Sequence, residues 1–379
     1  MLPAEANTTC HWYCAGNAIF PQMLSAIEAA AVSICLETYI YAADPLGERF
    51  REALVSAQRR GVRVQVLVDA VGSIGLPHHF WDSLRSAGGE ARYFNPLALK
   101  RFWFRDHRKM LVCDGRVAFV GGFNIATEYE GDGVASGWLD LGLKLGGPLA
   151  AKLASSFEEM FARADFRHKL FMRLRRFDAK KAVTLPTEQI LLGGPGRGQS
   201  PIATALHDDL MSARNVQILM AYFLPTRRLR RDLAQVVQRG GQVQMILAGK
   251  TDVLVSQLAA QSLYRRFLHE GVDIFEYQPQ VLHSKLIIVD DTVYVGSSNL
   301  DQRSLQINYE LMLRFQNGRI AGEAREVFAG NLKHSRRVER EAWRASRTIW
   351  RRIKQRLAYF ILVRMDPYIA RWQWRALPD

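Results

Sequence analysis

The 379-residue sequence contains no hydrophobic run long enough to cross a membrane. Its cleanest apolar stretch, residues 357–363, is far shorter than the roughly 20 residues that a transmembrane helix requires. The first residues, MLPAEANTTCHWYC, also lack the basic start and hydrophobic core of a signal peptide. We therefore expect a protein that stays on the cytoplasmic side and meets the cell membrane only peripherally.

Cysteine is scarce as well, with four residues in the chain. Cys35 and Cys113 fall in apolar, strand-like stretches, where we expect reduced core residues and no disulfide framework. Cys10, His11 and Cys14 have metal-ligand residue types, but no second ligand pair has a matching spacing. The sequence therefore predicts no metal site and a cytosolic redox environment.

The chain is also short of acidic residues, because 37 Asp and Glu stand against 51 Lys and Arg, a net charge of +14. Such a surplus calls for a polyanionic partner, either nucleic acid or an acidic membrane surface. Much of it lies in residues 333–379, where 13 Lys and Arg less 4 Asp and Glu leave a net +9. A second basic cluster spans residues 163–181.

One pattern, His-x-Lys-x-x-x-x-Asp, occurs twice in the chain. We regard all six of its residues as candidate catalytic residues: His107, Lys109 and Asp114 in the first copy, and His283, Lys285 and Asp290 in the second. In an extended strand, residues i and i+2 point to the same face, so each histidine projects beside its lysine. The aspartates lie on the opposite parity, where binding to backbone or to neighbouring basic groups is the better interpretation.

Each copy continues into an apolar run, a glycine-containing turn and an asparagine, Asn124 or Asn299. Lysine and asparagine can hold the non-bridging oxygens of a phosphate, and the glycine lets backbone approach the anion. Histidine can act as a nucleophile or as an acid and base near neutral pH. The second turn adds Ser297 and Ser298, and either serine, Ser297 first, is a candidate for a further phosphate contact. The pattern therefore predicts a site that breaks a phosphate ester without a metal.

The duplication extends beyond the motifs. Strand-like stretches recur in the same order ahead of each motif: residues 33–40, 62–68 and 91–94, then residues 216–223, 242–247 and 272–275. Helical stretches separate them, which predicts an α/β fold of two similar lobes, each a mixed β-sheet flanked by helices, related by a pseudo-two-fold axis. We place these lobes at residues 1–180 and 181–330, with a basic amphipathic tail at 331–379. The two motifs would meet where the lobes join, and a Gly- and Pro-rich loop is expected within residues 184–200.

The tail carries aromatic and aliphatic residues at helical spacing. Five of them fall on one side of the predicted helix: Trp343, Trp350, Ile353, Leu357 and Phe360. Arginine and lysine fill much of the rest, an arrangement typical of a helix that lies on an anionic bilayer. Two alternatives stay open: a helix packed on the catalytic body with its basic face in solvent, and a clamp for nucleic acid.

Three stretches, RDHRKMLVCDGRVAFVGGFN, LHSKLIIVDD and GSSNLDQRSLQINYE, resemble the phospholipase D superfamily. Within it the chain is similar to the short bacterial cardiolipin synthases that lack N-terminal transmembrane helices, over residues 17–328. The resemblance implies two phospholipase D-like lobes, a phosphohistidine on one histidine, and proton exchange with the alcohols by the other. By the family's usual order these are His107 and His283. It also implies carboxylates that orient the histidines, matched by Asp140 and Glu310, 33 and 27 residues beyond them.

The resemblance further implies a phosphatidyltransferase. Phosphatidylglycerol would pass its phosphatidyl group to histidine with release of glycerol, and a second phosphatidylglycerol would accept it to give cardiolipin. The number of phosphodiesters is unchanged, so we expect no cofactor. A hydrolytic phospholipase D or a nucleic-acid phosphodiesterase would use the same residues, although the tryptophans of the tail favour lipid over nucleic acid. A catalytically inactive membrane-surface scaffold is the alternative outside enzymology.

Overall fold

In the computed structural model, which describes residues 8–95, 104–164, 179–196 and 198–365, the chain forms two β-sheets with helices on their faces. The first sheet draws on residues 9–146 and the second on residues 181–337. Both sheets contain parallel and antiparallel neighbours. The predicted α/β class, with two mixed sheets flanked by helices, is confirmed.

The first sheet contains seven strands. In chain order they are β1 Thr9–Tyr13, β2 Ser33–Thr38, β3 Arg63–Asp69, β4 Glu90–Phe94, β5 Met110–Cys113, β6 Val117–Gly121 and β7 Gly142–Gly146. Their order in the sheet is β1-β7-β6-β5-β2-β3-β4. Strands β2, β3 and β4 run parallel, whereas β5 is antiparallel to β2 and begins just after the first motif histidine.

Among the residues that the structure describes, four α-helices accompany this sheet: α1 Gly16–Ala29, α2 Pro45–Arg59, α3 Asp82–Ser86 and α4 Pro148–Arg163. The start of α2 has a local cause, because the carboxylate of Asp44 accepts a hydrogen bond from the Gly47 amide at 2.9 Å. Pro45 occupies the first turn, where a missing N–H costs nothing. The Asp44 carboxylate also accepts hydrogen bonds from the amide and hydroxyl of Thr127 at 2.7 and 2.6 Å. The cap thereby positions the chain that follows the first motif.

The second sheet contains nine strands. In chain order they are β8 Lys181–Thr184, β9 Glu188–Gly193, β10 Asn215–Met220, β11 Gln242–Lys250, β12 Asp273–Val281, β13 Lys285–Val289, β14 Thr292–Gly296, β15 Glu310–Gln316 and β16 Ser335–Arg337. Their order in the sheet is β16-β12-β11-β10-β13-β14-β15-β9-β8. Strands β10 to β15 repeat the arrangement of β2 to β7, including the direction of the motif strand.

Seven α-helices accompany the second sheet in the described residues: α5 Pro201–Leu210, α6 Arg227–Gln238, α7 Leu254–His269, α8 Gln302–Gln306, α9 Gly318–Leu332, α10 Arg340–Ala345 and α11 Ile349–Phe360. The loop expected within residues 184–200 is shorter than its composition suggests. Leu191 and Leu192 belong to β9, where both are buried against β15. Strand β16 lies beyond residue 330, and most of the basic cluster at 163–181 falls outside the described residues. The lobe boundaries at 180 and 330 stay a prediction.

One hydrophobic cluster runs through both lobes. It includes Leu141, just before β7, and Leu143 of β7 in the first sheet, with Leu286 and Leu311 of the second sheet, all at most 1% exposed. Side chains of α4 and α9 belong to the same cluster. Continuous apolar packing of this kind fixes the two lobes against each other, which sets the geometry of any site that they share.

Helix α11 packs one side on α7. Ala358 is buried with Ala259 and Leu224, and the side-chain amide of Gln355 donates to Gln261 at 3.4 Å. The opposite side of α11 presents exposed residues that we call the apolar stripe: Ile349, Trp350, Ile353, Leu357 and Phe360. This orientation is the reverse of the alternative in which the apolar side packs on the catalytic body.

Trp343, predicted to share this stripe, does not belong to it. It lies in α10, is 8% exposed, and packs its ring 4.9 Å from the ring of Tyr264. Helix α11 starts separately, because the hydroxyl of Thr348 accepts a hydrogen bond from the Arg351 amide at 3.2 Å. Because the chain breaks between the two helices, residues spaced at 3.6-residue intervals across the break do not lie on the same face.

Candidate active site

The two motif histidines lie where the lobes join. The amide of His107 donates to the carbonyl of Tyr309 at 2.9 Å, and the Tyr309 amide donates to the carbonyl of Arg105 at 2.9 Å. The second motif repeats this contact, because the His283 amide donates to Leu139 at 2.8 Å. Each histidine segment is therefore hydrogen-bonded, backbone to backbone, to a strand-like segment of the opposite lobe.

These backbone contacts deliver a carboxylate to each histidine. Glu310 follows Tyr309, and its carboxylate lies 3.1 Å from Nδ1 of His107. Asp140 follows Leu139 and lies 2.6 Å from Nδ1 of His283. From the sequence, each carboxylate is matched to the histidine of its own half, Asp140 to His107 and Glu310 to His283. In the structure each carboxylate contacts the histidine of the other half. All four side chains are buried.

The two carboxylates differ in ionisation. Burial acts to raise the pKa of Glu310, but His107, Lys109 and the Ser297 hydroxyl together lower it below its usual value. Burial raises the pKa of Asp140 to about 7, although Lys285 and the Leu141 amide act to lower it. Near neutral pH the partner of His107 is thus an ionised carboxylate. With a pKa of about 7, the partner of His283 is partly protonated in the same range, so that Asp140 and His283 titrate as a pair.

A single position accounts for part of this difference. Ser297 donates its hydroxyl to the carboxylate of Glu310 and accepts a hydrogen bond from the Leu311 amide at 3.0 Å. The equivalent residue in the first motif is Gly122, where a Cβ atom would lie 2.1 Å from Oδ1 of Asp140. The predicted phosphate contact of Ser297 is therefore corrected, because its one hydroxyl hydrogen is already donated to Glu310.

Each lysine lies beside the histidine of its own motif, and the charge of Lys285 affects the ionisation of Lys109. Nζ of Lys109 donates to the carbonyl of His107 at 2.6 Å, and Nζ of Lys285 lies 2.8 Å from Nδ1 of His283. Burial, followed by the charge of Lys285, lowers the pKa of Lys109 to about 7. Burial also lowers the pKa of Lys285, to about 8. An anion bound between them would restore both charges, which makes the pair a receptor for phosphate.

The histidines are held neutral. Burial lowers the pKa of His107, an effect that Glu310 partly offsets and Lys109 adds to. Burial lowers the pKa of His283 far more, together with the charges of Lys285 and Lys109. A neutral ring with Nδ1 facing a carboxylate leaves Nε2 for chemistry.

The motif aspartates do not join this site. Asp114 lies at the end of β5 opposite His107, and its carboxylate accepts hydrogen bonds from the amides of Ala31, Val32 and Ser33 at 3.0, 2.7 and 2.9 Å. Asp290 binds the amide of Asn215 at 2.8 Å in the equivalent place. Both have a positive φ, 56° and 47°, that aspartate tolerates. Their catalytic candidacy is corrected to a structural role at the far end of the motif strands.

The asparagines lie in the turns that follow β6 and β14. Oδ1 of Asn124 accepts from the Ile40 amide at 3.0 Å, and Nδ2 donates to the hydroxyl of Tyr129 at 2.6 Å. One amide hydrogen of Nδ2 remains for a phosphate oxygen. Asn299 is 3% exposed, and its Oδ1 has no hydrogen-bond partner among the described residues.

Aromatic residues that the sequence analysis did not select form the walls of the site. The ring of Tyr39 lies 5.0 Å from His107, and the rings of Tyr129 and Trp138 lie 5.4 and 5.8 Å from His283. Tyr222 lies 6.4 Å from His283 and donates its hydroxyl to Asp252. The duplicated strand order could have pointed to two of these residues, because Tyr39 and Tyr222 follow the equivalent strands β2 and β10.

A cavity of about 450 Å³ is lined mainly by residues of the second lobe. Phe104 and Ile307 line it, three residues before His107 and Glu310 respectively, and Leu229 lines another wall. Within the described part of the chain, no group of His, Cys, Asp and Glu is arranged to hold a metal ion, and no helix has the length and hydrophobicity needed to span a bilayer.

The chain is similar in sequence to known proteins over most of its length. The family model for the cardiolipin synthase, phospholipase D-like domain, matches residues 23–161 and 206–332. Cardiolipin synthase 1 of Bacillus cereus is 30% identical over 364 residues, which cover 93% of this chain and 71% of that protein. Cardiolipin synthase A of Pseudomonas aeruginosa is 33% identical over 341 residues, covering 88% and 69%.

Two solved structures share the fold. Phosphatidylserine synthase of Haemophilus influenzae superposes with a TM-score of 0.76 at 15% identity, over 95% of this chain and 94% of that one. Polyphosphate kinase of Porphyromonas gingivalis gives a TM-score of 0.58 at 14% identity, over 88% and 49%. At this level of identity the similarity shows the architecture of both lobes, and nothing about the substrate.

Proposed function

Because the chain belongs to the cardiolipin synthase family of phospholipase D-like proteins, we propose that it joins two phosphatidylglycerol molecules into cardiolipin and releases glycerol. It is a phosphatidyltransferase of that family. The observation that carries the detailed mechanism is the pair of histidine–carboxylate contacts formed across the joint between the lobes, His107 with Glu310 and His283 with Asp140.

In the first displacement, Nε2 of His107 attacks phosphorus while the carboxylate of Glu310 keeps its hydrogen bond from Nδ1–H and stabilises the positive charge that develops on the ring. The P–O bond to glycerol breaks, and Nε2 of His283 gives its proton to the departing oxygen. The proton of Asp140 moves to Nδ1 of His283 in the same step. Released glycerol and a phosphatidyl group on His107 are the products.

In the second displacement, a hydroxyl of another phosphatidylglycerol attacks the phosphohistidine. Nε2 of His283 takes the hydroxyl proton, Nδ1 returns a proton to Asp140, and the N–P bond to His107 breaks. Lys109, Lys285 and the amides of Asn124 and Asn299 hold the non-bridging oxygens through both steps. The role of nucleophile goes to His107 because its partner Glu310 is ionised, whereas the Asp140–His283 pair holds the proton that an acid must donate.

The apolar stripe supports attachment to a membrane. Trp350 is 74% exposed and Ile349 is 73% exposed, and contiguous apolar surface of this kind marks an interaction site. The far end of α11 packs near the start of α7, which follows Asp252, the residue that binds Tyr222 beside His283. Leu254 there is 64% exposed. The stripe and the exposed start of α7 would thus meet the bilayer together, on its cytoplasmic face, without passing through it.

The test is to incubate purified protein with phosphatidylglycerol vesicles and to resolve the lipid products by mass. We expect cardiolipin and glycerol from the wild type and neither from His107→Ala or His283→Ala. Phosphatidic acid in place of cardiolipin would make the protein a hydrolase. Absence of lipid turnover with cleavage of nucleic acid would overturn the proposal in favour of a nucleic-acid phosphodiesterase.

A further inference from the structure

A second cavity, about 270 Å³ in volume, lies between the C-terminal end of α7 and the helices α10 and α11. Six arginines line it and define what we call the arginine pocket: Arg265, Arg340, Arg344, Arg347, Arg352 and Arg356. Trp343 forms one wall. None of these residues belongs to the histidine site, and no step of the proposed mechanism uses them.

The positive charge of the arginine pocket is not neutralised by the described residues. No described carboxylate pairs with any of its six guanidinium groups, since Glu270 pairs with Arg266 and Glu339 with Arg337. Burial, then the charges of the neighbouring arginines, lowers the pKa of Arg347. Nε of Arg347 and Nε1 of Trp343 are buried donors without a hydrogen-bond partner there. Repelling cations and unused donors in one cavity indicate an anionic ligand with several oxygens.

The position of the arginine pocket indicates which class of anion it binds. Arg352 and Arg356 lie one turn apart on α11, and both lie next to the apolar stripe, beside Ile349 and Ile353. When the stripe enters a bilayer, these guanidinium groups lie at the depth of the lipid phosphates. Planar guanidinium groups bind phosphate through two parallel hydrogen bonds, which an ammonium group cannot reproduce.

We propose that the arginine pocket binds the headgroup phosphate of an anionic phospholipid at a site separate from the histidines. The lipid would anchor α11 and hold the active site at the membrane surface. This inference rests on the membrane attachment in the proposed function. It adds a specific contact with a lipid headgroup to the general attraction between the basic tail and an anionic bilayer.

The experiment compares single substitutions on α11 in vesicles of phosphatidylcholine with phosphatidylglycerol. Lys354 lies on the same helix outside the arginine pocket, so Lys354→Gln removes one charge without touching it and should weaken binding by roughly fivefold or less. Arg352→Gln and Arg356→Gln should each weaken binding by roughly tenfold or more, because each also removes a bidentate contact. Arg352→Lys should recover only part of the loss. Equal losses for Arg352→Gln and Lys354→Gln, or full recovery in Arg352→Lys, would overturn the proposal.

Two further arms separate the possible sources of phosphate and the two proposals. Inorganic phosphate that binds the wild type tightly, and binds Arg352→Gln weakly, with vesicle binding equal in both, would assign the pocket to free phosphate and overturn a lipid. Turnover of monomeric dihexanoyl phosphatidylglycerol should be unchanged in Arg352→Gln. If the wild type itself fails to turn it over, the proposed reaction fails, while the comparison of vesicle binding still decides the arginine pocket.

Discussion

Nδ1 of His107 lies 3.1 Å from the carboxylate of Glu310, although 203 residues separate the two in the chain. The contact crosses from the first lobe to the second, and His283 makes the reverse contact with Asp140 of the first. Neither lobe by itself supplies both the histidine and the carboxylate of either motif pair. The site therefore exists only when both lobes are folded and joined.

The crossed pairs predict which half-reaction each carboxylate serves. With a diester that has a p-nitrophenyl leaving group, which needs no acid, His283→Ala and Asp140→Asn should still release one p-nitrophenolate per protein in a burst. His107→Ala should give no burst, and Glu310→Gln should slow it by roughly 10²–10⁴-fold, the usual contribution of such a group. Stopped-flow absorbance measures the burst. A burst in His107→Ala that is lost in His283→Ala would reverse the assignment of the nucleophile.

The perturbed pKa values predict that kcat/KM falls as pH rises through about 7 to 8. Burial raises the pKa of Asp140 to about 7, so the Asp140–His283 pair loses its proton above that pH. The lowered pKa values of Lys109 and Lys285, about 7 and about 8, remove the phosphate-binding charges over the same range. On the acid side, His107 stays neutral below the ordinary histidine pKa of about 6.5, because burial lowers its own.

A pH profile with the monomeric substrate checks this expectation. An alkaline limb at the ordinary lysine pKa of about 10.4 would contradict it. Lys109→Arg offers a control, because its guanidinium group does not titrate in this range and its profile should depend on the Asp140–His283 pair and Lys285 alone.

Gly122 and Ser297 predict opposite outcomes for small changes at equivalent positions. Gly122→Ala should abolish most activity, because the added Cβ would lie 2.1 Å from Oδ1 of Asp140 and push that carboxylate away from His283. Ser297→Ala should keep measurable activity but move the acid limb to higher pH, since Glu310 loses a donor that lowers its pKa. Gly75→Ala is the matched control, with no atom within 4 Å of the new methyl group. Full activity in Gly122→Ala would refute the steric argument.

Substitution of a motif aspartate is expected to reduce the stability of the fold and to leave the catalytic rate almost unchanged. Asp114→Ala removes the acceptor of three backbone amides and should lower the free energy of unfolding by about 1–2 kcal/mol, as the loss of a helix cap does. Urea unfolding measures this change, and kcat of the folded variant should remain close to that of the wild type. Asp82→Ala, at an exposed surface ion pair, is the control with little expected effect. A large fall in kcat at unchanged stability would restore Asp114 to the catalytic group.

The apolar stripe predicts a separation of membrane binding from chemistry. Trp350→Ser should weaken binding to phosphatidylglycerol vesicles by a factor that corresponds to about 1.5–3 kcal/mol, the usual value for burying a large apolar side chain. Its turnover of monomeric substrate should be unchanged. Val32→Ser is the control, because Val32 is 68% exposed beside Asp114, at the far end of the first sheet. Equal vesicle binding in both variants would remove the stripe from the membrane contact.

Sequence reasoning predicted the repeated α/β lobes and most of the site, and the reasons are local. Strand periodicity places His107 beside Lys109 whatever the rest of the chain does, and the duplicated order of strands repeats the same unit at His283. It did not predict that Ser297 donates to Glu310. A hydroxyl near a phosphate site has several candidate partners, and only packing across β14 and β15 selects one.

Which tail residues share one helical face was predicted only in part, because this too depends on tertiary packing. Spacing alone grouped Trp343 with Trp350, but the cap at Thr348 starts a new helix and turns Trp343 into the core. Which side of α11 faces outward depends on what α7 offers for packing, and that is a tertiary property.

By itself, the amino-acid sequence determined that two histidines, two lysines and two asparagines occur in matched settings, because strand parity and repetition act over a few residues. The tertiary structure decided that each histidine takes its carboxylate from the other lobe, since the backbone contacts at Tyr309 and Leu139 form only when the lobes pack together. It also decided that the carboxylates ionise differently, because the pKa of a buried group depends on neighbours that are distant in sequence.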